Sequence, residues 1–504
     1  MNYRSATIAL LAALALFRVC YILFGPFDVS PDEAHYWEWS RRLGLSYYSK
    51  GPAVAYVIAF FTSIFGNNEF GIRIGAVLFS TAASFVLFLL GKTLFKSEKA
   101  GFWSALLPNM TPIFSIGAVL MTTDVMLVFF WGAAALCVYL GSTNGRPLWW
   151  YAAGGAVGLG FLSKYTMVLI VPCLALFLLA SRDKRRWFRR PEPYMAGAIS
   201  LVLAAPVILW NIMHGQVTIR HTMGQAHLGE GALSAIDALE FIGAQAALLG
   251  PIVFAALVYG VWMAFARGLR EKRDELMLVF FTSAPLFVFF AVKSLHGKVQ
   301  ANWAVAAFVT AFPAAVWAAG RLYERRRSLV LFLTATAVVM GVAASFLTYF
   351  PWLLEPLGVK KVLTGPPFNR VVGWAGLGIS VTRMKNEMSA SSGGVEPFII
   401  SDTYQTAGEL ALYVEGNPVV YNAAVGTRRM NQYDLWPGPE GLTGKSAIYV
   451  KAGDSELDPE VKAAFDRCDK ELLAISWQGR PVKEFCAYRC YGFKGFEARK
   501  LENY

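Results

Sequence analysis

Between about residue 5 and residue 350 the chain is a succession of apolar stretches, each near 20 residues long, divided by short polar loops. About 20 apolar residues in a helix span the ~30 Å of a bilayer's hydrocarbon core, where helices or closed barrels are the only folds that satisfy the backbone. The pattern predicts an α-helical polytopic membrane protein of eleven spans: 5–24, 70–90, 100–118, 121–140, 149–162, 165–181, 194–212, 238–265, 275–292, 300–319 and 329–350. Charged residues make up 16% of the chain; a soluble protein carries about a quarter. The shortage ends at residue 351, beyond which charges are mixed and Gly/Pro turns recur. The expected organisation is a membrane domain, 1–350, followed by a small α/β extracytoplasmic domain, 351–504.

The first span follows Arg4 and lacks a small-x-small cleavage site before further spans, so it reads as a retained anchor. Alternating sides from a cytoplasmic N-terminus places loops 91–99, 141–148, 182–193, 266–274 and 320–328 together. These hold the densest basic runs, Arg182 to Arg190 and Arg321 to Arg327. Basic loops between spans mark the cytoplasmic side, so the net charge of +12 orients the chain and does not point to nucleic acid. The opposite side, periplasmic for an inner-membrane protein, receives loops 25–69, 119–120, 163–164, 213–237 and 293–299 and the tail. All five histidines, His35, His214, His221, His227 and His296, fall there.

Within the first outer loop, 31–43 and 51–66 read as interfacial helices, with Trp37, Trp39, Tyr47 and Tyr48 at headgroup level. In the tail, Phe398–Ser401, Pro418–Tyr421 and Ala447–Val450 read as strands, with a helix over Gln405–Val414. Cys468, Cys486 and Cys490 lie in that tail; an oxidising compartment permits one disulfide and leaves one thiol, and spacing does not choose the pair.

Ser30-Pro-Asp-Glu-Ala-His-Tyr-Trp-Glu-Trp39 carries the strongest chemical signal. Ser30, Pro31 and Glu33 suit a capped helix start, and Glu33 also stands with Asp32 and Asp124 as a candidate catalytic carboxylate. That start leaves unexplained why His35, Tyr36 and Trp39 follow Asp32 at helical spacings of three, four and seven. A carboxylate, imidazole, phenol and indole on one face resemble a polar site with an aromatic sugar platform. Lys50 and Lys164 either snorkel to headgroups or supply cations to a lipid-linked phosphate. Arg18, inside the first span, has the same two readings. Asp124, at an outer span end, is either a loop carboxylate or one facing a cavity. Loop 213–229 offers His214, Arg220, His221, Gln225 and His227 for structural or substrate-binding roles; they lack the spacing of a helical zinc pair. Lys298 and Asn302 form another polar opening to a span, and Tyr48 accompanies Lys50.

Pro31-Asp-Glu, Tyr47-Tyr-Ser-Lys-Gly-Pro52, Thr123-Asp124 and Gly160-Phe-Leu-Ser-Lys-Tyr165, in that order on alternating outer loops, resemble the multispanning glycosyltransferases of the GT-C superfamily. The resemblance points to the bacterial branch of lipid A aminoarabinose and core galacturonic-acid transferases, with protein O-mannosyltransferases as more distant relatives. It covers roughly residues 1–350, and Asn431-Gln-Tyr-Asp-Leu-Trp436 resembles the outer domain of further members. It implies a GT-C-like fold and inverting transfer of a sugar from a polyprenyl-phosphate donor to a lipid A, core or other glycan acceptor. It also implies Asp32 as general base or acceptor-orienting group, Asp124 as second acidic residue, and Lys50 and Lys164 at the donor phosphate. Two positions depart: His35 replaces an arginine of the aminoarabinose enzyme, and Ser49 replaces a glutamate proposed to contact metal. A divalent metal therefore stays an unassigned cofactor.

Physical logic runs the same way. A carboxylate can deprotonate a hydroxyl acceptor, and a cation can stabilise charge on a leaving phosphate. No nucleotide-binding Gly-rich loop occurs. The competing classes are a transporter or flippase of lipid-linked sugar, a structural envelope subunit and a protein O-glycosyltransferase. Transporters place binding groups near the midplane, often in repeated halves; here the candidates sit at span ends and no repeat is visible.

Overall fold

The structure is a computed structural model that describes residues 2–226, 233–357, 365, 368–497 and 501. It opens with α1 (Tyr3–Phe24), two short helices of the first loop, α2 (Pro31–Ser40) and α3 (Ala53–Phe65), and a long α4 (Glu69–Phe95). Then come α5 (Glu98–Leu106), α6 (Pro112–Gly117), α7 (Thr123–Asn144), α8 (Pro147–Ser163), α9 (Ile170–Ala180), α10 (Pro191–Met213) and α11 (Val217–Ala226). The remaining helices of this region are α12 (Ala235–Leu249), α13 (Pro251–Glu271), α14 (Asp274–Phe281), α15 (Ala284–Ser294), α16 (Val305–Tyr323) and α17 (Arg327–Tyr349).

Among the described residues, eight helical segments are long and apolar enough to cross a membrane, or nine if the bent pair Tyr165–Ala180 and Arg182–Arg189 is one span. The chain is a multi-pass membrane protein. The eight match eight of the predicted spans; the other three fall on shorter helices. Stretch 100–118 is α5 and α6, interrupted at Pro108 and Pro112. Stretches 149–162 and 165–181 are α8 and α9. The predicted 238–265 span breaks where Gly250 (φ 82°) meets Pro251, because neither residue continues a helix at that junction.

The tail adds α18 (Trp374–Ser391), α19 (Tyr404–Tyr413) and α20 (Pro459–Ala463) beside strands β1 (Phe398–Ser401), β2 (Val420–Asn422), β3 (Ala447–Ala452), β4 (Arg467–Trp477) and β5 (Arg480–Tyr491). Their order is β2-β1-β3-β5-β4, parallel for β2, β1 and β3 and antiparallel beyond. Cys468 and Cys490 sit opposite each other on β4 and β5 and form a disulfide; Cys486 stays a buried thiol.

The first loop and the tail share one apolar core. Trp37, Trp39, Val54 and Ile58 pack with Leu377, Val381, Ile399, Leu410 and Ile448. Fully burying each such side chain is worth about 1.5–3 kcal/mol. Helix α2 runs directly against α19, where a Cβ on Gly408 would lie 3.1 Å from the His35 nitrogen. The aromatic residues expected at headgroup level, Trp37, Trp39, Tyr47 and Tyr48, are instead buried inside protein. The tail covers them, which no local periodicity announces.

Candidate functional site

Helix α2 begins as its sequence dictates. Ser30 caps it, Pro31 occupies the first turn, and Glu33 completes the capping box by accepting from the Ser30 nitrogen at 3.0 Å. Glu33 does much more. It is fully buried, takes Arg73 Nε and Nη2 at 3.0 Å each, and accepts from the Met121 nitrogen at 2.9 Å. With Ser30 Oγ at 2.9 Å, its oxygens hold five donors. Such a carboxylate has no lone pair to offer a substrate, so the expected catalytic role of Glu33 is corrected to a strut. It ties α2 to α4 and sets the start of α7, hence the position of Asp124.

Asp124 lies in the first turn of α7. One oxygen is bonded by the Lys164 ammonium, and the other accepts from Asn302 Nδ2 at 2.7 Å. Lys164 follows α8 and is buried. Lys50 reaches the same place on a segment fastened from three sides. Ser46 Oγ and the Tyr165 hydroxyl are 2.9 Å apart, the Tyr48 nitrogen donates to Gln432 Oε1 at 2.7 Å, and Thr218 Oγ1 donates to the Tyr47 carbonyl at 3.3 Å. Gly51 lies flush on the Leu162 carbonyl, where any Cβ would collide. Burial, the Lys164 ammonium next, holds Lys50 below its ordinary value, against the pull of Asp124 and Asp32. Among the described residues no ion pair of Lys50 is closed.

Asp32 completes the group. Its Oδ2 accepts from Arg370 Nη2 at 2.9 Å, with the two side chains 42% and 51% exposed. A half-exposed pair like this is worth about 0–1 kcal/mol and exchanges readily. The Tyr36 phenol, driven well above its usual value chiefly by burial, feels Asp32, Tyr404, Asp124 and Arg370. Asp32, Lys50, Asp124, Lys164, Asn302 and Tyr36 thus converge from five separate segments. A cavity of about 180 Å³, walled mostly by apolar residues such as Leu87, Phe114, Leu120 and Val128, opens beside Asp124 and Asn302.

Other expected site residues go elsewhere. His35 is buried between Trp39, Tyr404 and Tyr433, and its Nε2 accepts from Trp39 Nε1 at 3.1 Å. Burial pushes it down to about 3, so it is neutral packing and not a substrate contact. Trp39, fully buried, is no sugar platform. Arg18, by contrast, is buried in α1 and donates to Asn109 Oδ1 at 2.6 Å, and Asn109 lines the same cavity as Asp124 and Asn302. Lys298 is 79% exposed and faces Glu240 at 3.4 Å. His221 packs against Tyr48, the rings tilted by 54°, and is lowered to about 4 by burial, then by Lys50 and Arg429. Arg220 is exposed on the same helix, and His227 lies outside the described residues. Among the described residues no group of three or more His, Cys, Asp or Glu could hold a metal ion.

The sequence reading missed Arg73, Arg370 and Arg429. Arg73 had a signal, a charge within an apolar span. Arg370 had none, being 338 residues from its partner.

Comparison with known proteins finds similarity in sequence over part of the chain and in fold over most of it. Residues 49–210 match the family described as dolichyl-phosphate-mannose-protein mannosyltransferase. Lipid A galacturonosyltransferase RgtD of Rhizobium johnstonii is 35% identical over 63% of this chain and 66% of its own length. An undecaprenyl phosphate-alpha-4-amino-4-deoxy-L-arabinose arabinosyl transferase of Proteus mirabilis is 26% identical over 58% and 56%. The chain thus spans just under two thirds, or less, of the curated relatives it matches. The solved ArnT of Cupriavidus metallidurans bound to undecaprenyl phosphate shares the fold at TM-score 0.67 and 17% identity, over 95% of this chain and 97% of that one.

Proposed function

We propose that this protein moves a sugar, with inversion, from a polyprenyl-phosphate carrier to an envelope acceptor such as lipid A at the periplasmic face of the inner membrane. The observation that carries this reading is the convergence of two carboxylates, Asp32 and Asp124, with two lysines, Lys50 and Lys164, where the first loop meets the ends of α7 and α8. The relatives' names, a lipid A galacturonosyltransferase and undecaprenyl-phosphate arabinosyl transferases, support it. In this reading residues 1–350 form the catalytic membrane unit and 351–504 the extracytoplasmic domain that covers it.

The acceptor hydroxyl oxygen bonds to the anomeric carbon while the bond from that carbon to the phosphate oxygen breaks. The electron pair leaves with the phosphate, and Asp32 takes the acceptor proton. Lys50, whose ammonium closes no ion pair among the described residues, stabilises the charge growing on the leaving phosphate. Asp124 and Asn302 fix the Lys164 ammonium beside it. If the acceptor is itself a phosphate, no proton need be removed, and Asp32 orients it. A carrier held in lipid presents its phosphate at the boundary, which suits reactive groups placed at span ends.

A panel of polyprenyl-phosphate sugars, each offered with lipid A, a core glycan and a hydroxyl-bearing peptide, tests the proposal. Acceptor-dependent release of polyprenyl phosphate is the expected result. Movement of intact donor between leaflets without release would favour a transporter.

A further inference from the structure

Helix α18 begins without a cap of its own. Its N-cap position is Gly373, at φ 85°, which has no side chain to accept from the first free N–H groups. The missing acceptor comes from the first loop, 346 residues away along the chain. Asp28 Oδ2 accepts from the Trp374 nitrogen at 2.7 Å and from the Ala375 nitrogen at 3.4 Å. The Asp28 nitrogen donates back to the Val371 carbonyl at 2.9 Å. Asp28 thus clasps the turn Phe368–Val371 and the start of α18 together. Its own carbonyl accepts from Arg73 Nη2 at 2.7 Å, so the clasp is anchored on the same buried arginine as Glu33.

The clasped turn carries Arg370, whose Nη2 donates to Asp32 Oδ2. An ion pair this exposed does not fix its own geometry. The place of the guanidinium is set by its backbone, where the Arg370 carbonyl accepts from Trp374 Nε1 at 2.9 Å. Asp32 Oδ1 has no hydrogen bond among the described residues and stays open to an acceptor hydroxyl. With Oδ2 engaged, the direction in which Oδ1 points follows the position of Arg370.

We propose that Asp28 is a positioning residue for sugar transfer: by capping α18 it sets Arg370, and through Arg370 it orients the carboxylate of Asp32. This rests on the sugar-transfer reading. Charge is part of the grip, because the N-terminus of a helix favours a carboxylate over a neutral oxygen. Burial raises the Asp28 carboxyl to about 6, against the pull of the Trp374 and Ala375 N–H groups. Around it stand Glu69 and Arg73 of α4, Glu409 and Tyr413 of α19, and Lys483 of β5. As pH falls through about 6, Asp28 takes a proton, the grip on α18 weakens, and Arg370 no longer holds Asp32 in one orientation.

The test uses the full-length protein in lipid nanodiscs, with the polyprenyl-phosphate sugar and acceptor of the panel that wild type turns over fastest. Values of kcat and KM are measured over about pH 5 to 8 for wild type, Asp28→Asn, Arg370→Gln and the double variant, each with its thermal melt. Wild-type kcat should fall as pH drops through about 6. Asp28→Asn, neutral at every pH, should lack that limb and run about 10-fold below wild type at neutral pH, with KM within about twofold. Arg370→Gln should lack the limb too, and adding Asp28→Asn to it should cost less than about twofold more, because both residues act on one path. An Asp28→Asn loss that multiplies in full onto Arg370→Gln overturns the assignment, as does wild-type kcat in Asp28→Asn. A limb near 6 that is absent from wild type, or kept by Arg370→Gln, also overturns it, and neither result requires Asp28→Asn to fold. Each of these outcomes leaves sugar transfer standing, whereas release from no donor of the panel brings down the transfer reading and this assignment together.

Discussion

Asp32 and Glu33 are neighbours on one helical turn, yet their carboxylates face opposite physical situations. Glu33 is sealed in the core with five donors, including Nε and Nη2 of buried Arg73. Asp32 looks into the site with one exchangeable partner on a half-exposed side chain. Chemistry and chain position are nearly the same; access and the number of donors differ. A carboxylate whose lone pairs are all taken can only hold structure, and one with a single weak partner can be recruited by a substrate.

The largest expected effect falls on the strut. Glu33→Gln leaves Arg73 buried without its counter-charge, which costs about 3–5 kcal/mol. Thermal unfolding in detergent should register that loss, whereas Asp32→Asn should change stability by less than ~1 kcal/mol. Equal destabilisation by both would erase the contrast. Lys50→Gln comes next, and kcat/KM for donor turnover should fall by about 100-fold without loss of fold. A loss that higher donor concentration fully restores would make Lys50 a ground-state binder only.

The His35 contact between α2 and α19 has a smaller, pH-dependent expectation. The folded value, about 3, lies below the unfolded one, so the unfolded chain takes the proton first. Stability should therefore drop as pH falls below about 6.5, by up to ~1.4 kcal/mol per pH unit, until the folded value is reached. His35→Phe should flatten that limb of a melting-temperature profile, and an unaltered slope would mean His35 is not its source. Smallest of all, Lys298→Ala should leave activity within about twofold and stability within ~0.5 kcal/mol, because its pair with Glu240 is solvent-exposed.

Features with a local cause could be read from the chain. The first-loop helices, expected at 31–43 and 51–66, form at Pro31–Ser40 and Ala53–Phe65 because the capping box and the apolar run act within a few residues. Three tail strands and the helix between the first two lie within two residues of their expected places for the same reason. Asp32, Lys50, Asp124 and Lys164, expected to gather, do gather. What sequence could not supply is the cover. His35 and Trp39 share a helical face with Asp32, but α19 buries that face, so helical spacing promised a platform where packing made a core. Arg370 and the β4–β5 hairpin depend on contacts across hundreds of residues or on a tail without strong periodicity, and neither was anticipated. Span number fails differently, since prolines at 108 and 112 and the Gly250–Pro251 junction interrupt helices inside otherwise apolar stretches.

The most direct measurement is release of polyprenyl phosphate from a turned-over donor by Asp32→Asn beside wild type, at equal amounts of folded protein. Loss of about 1000-fold with an unshifted melt is the predicted result, in keeping with removal of a general base. Full turnover by Asp32→Asn would contradict the division of labour between the two neighbouring carboxylates.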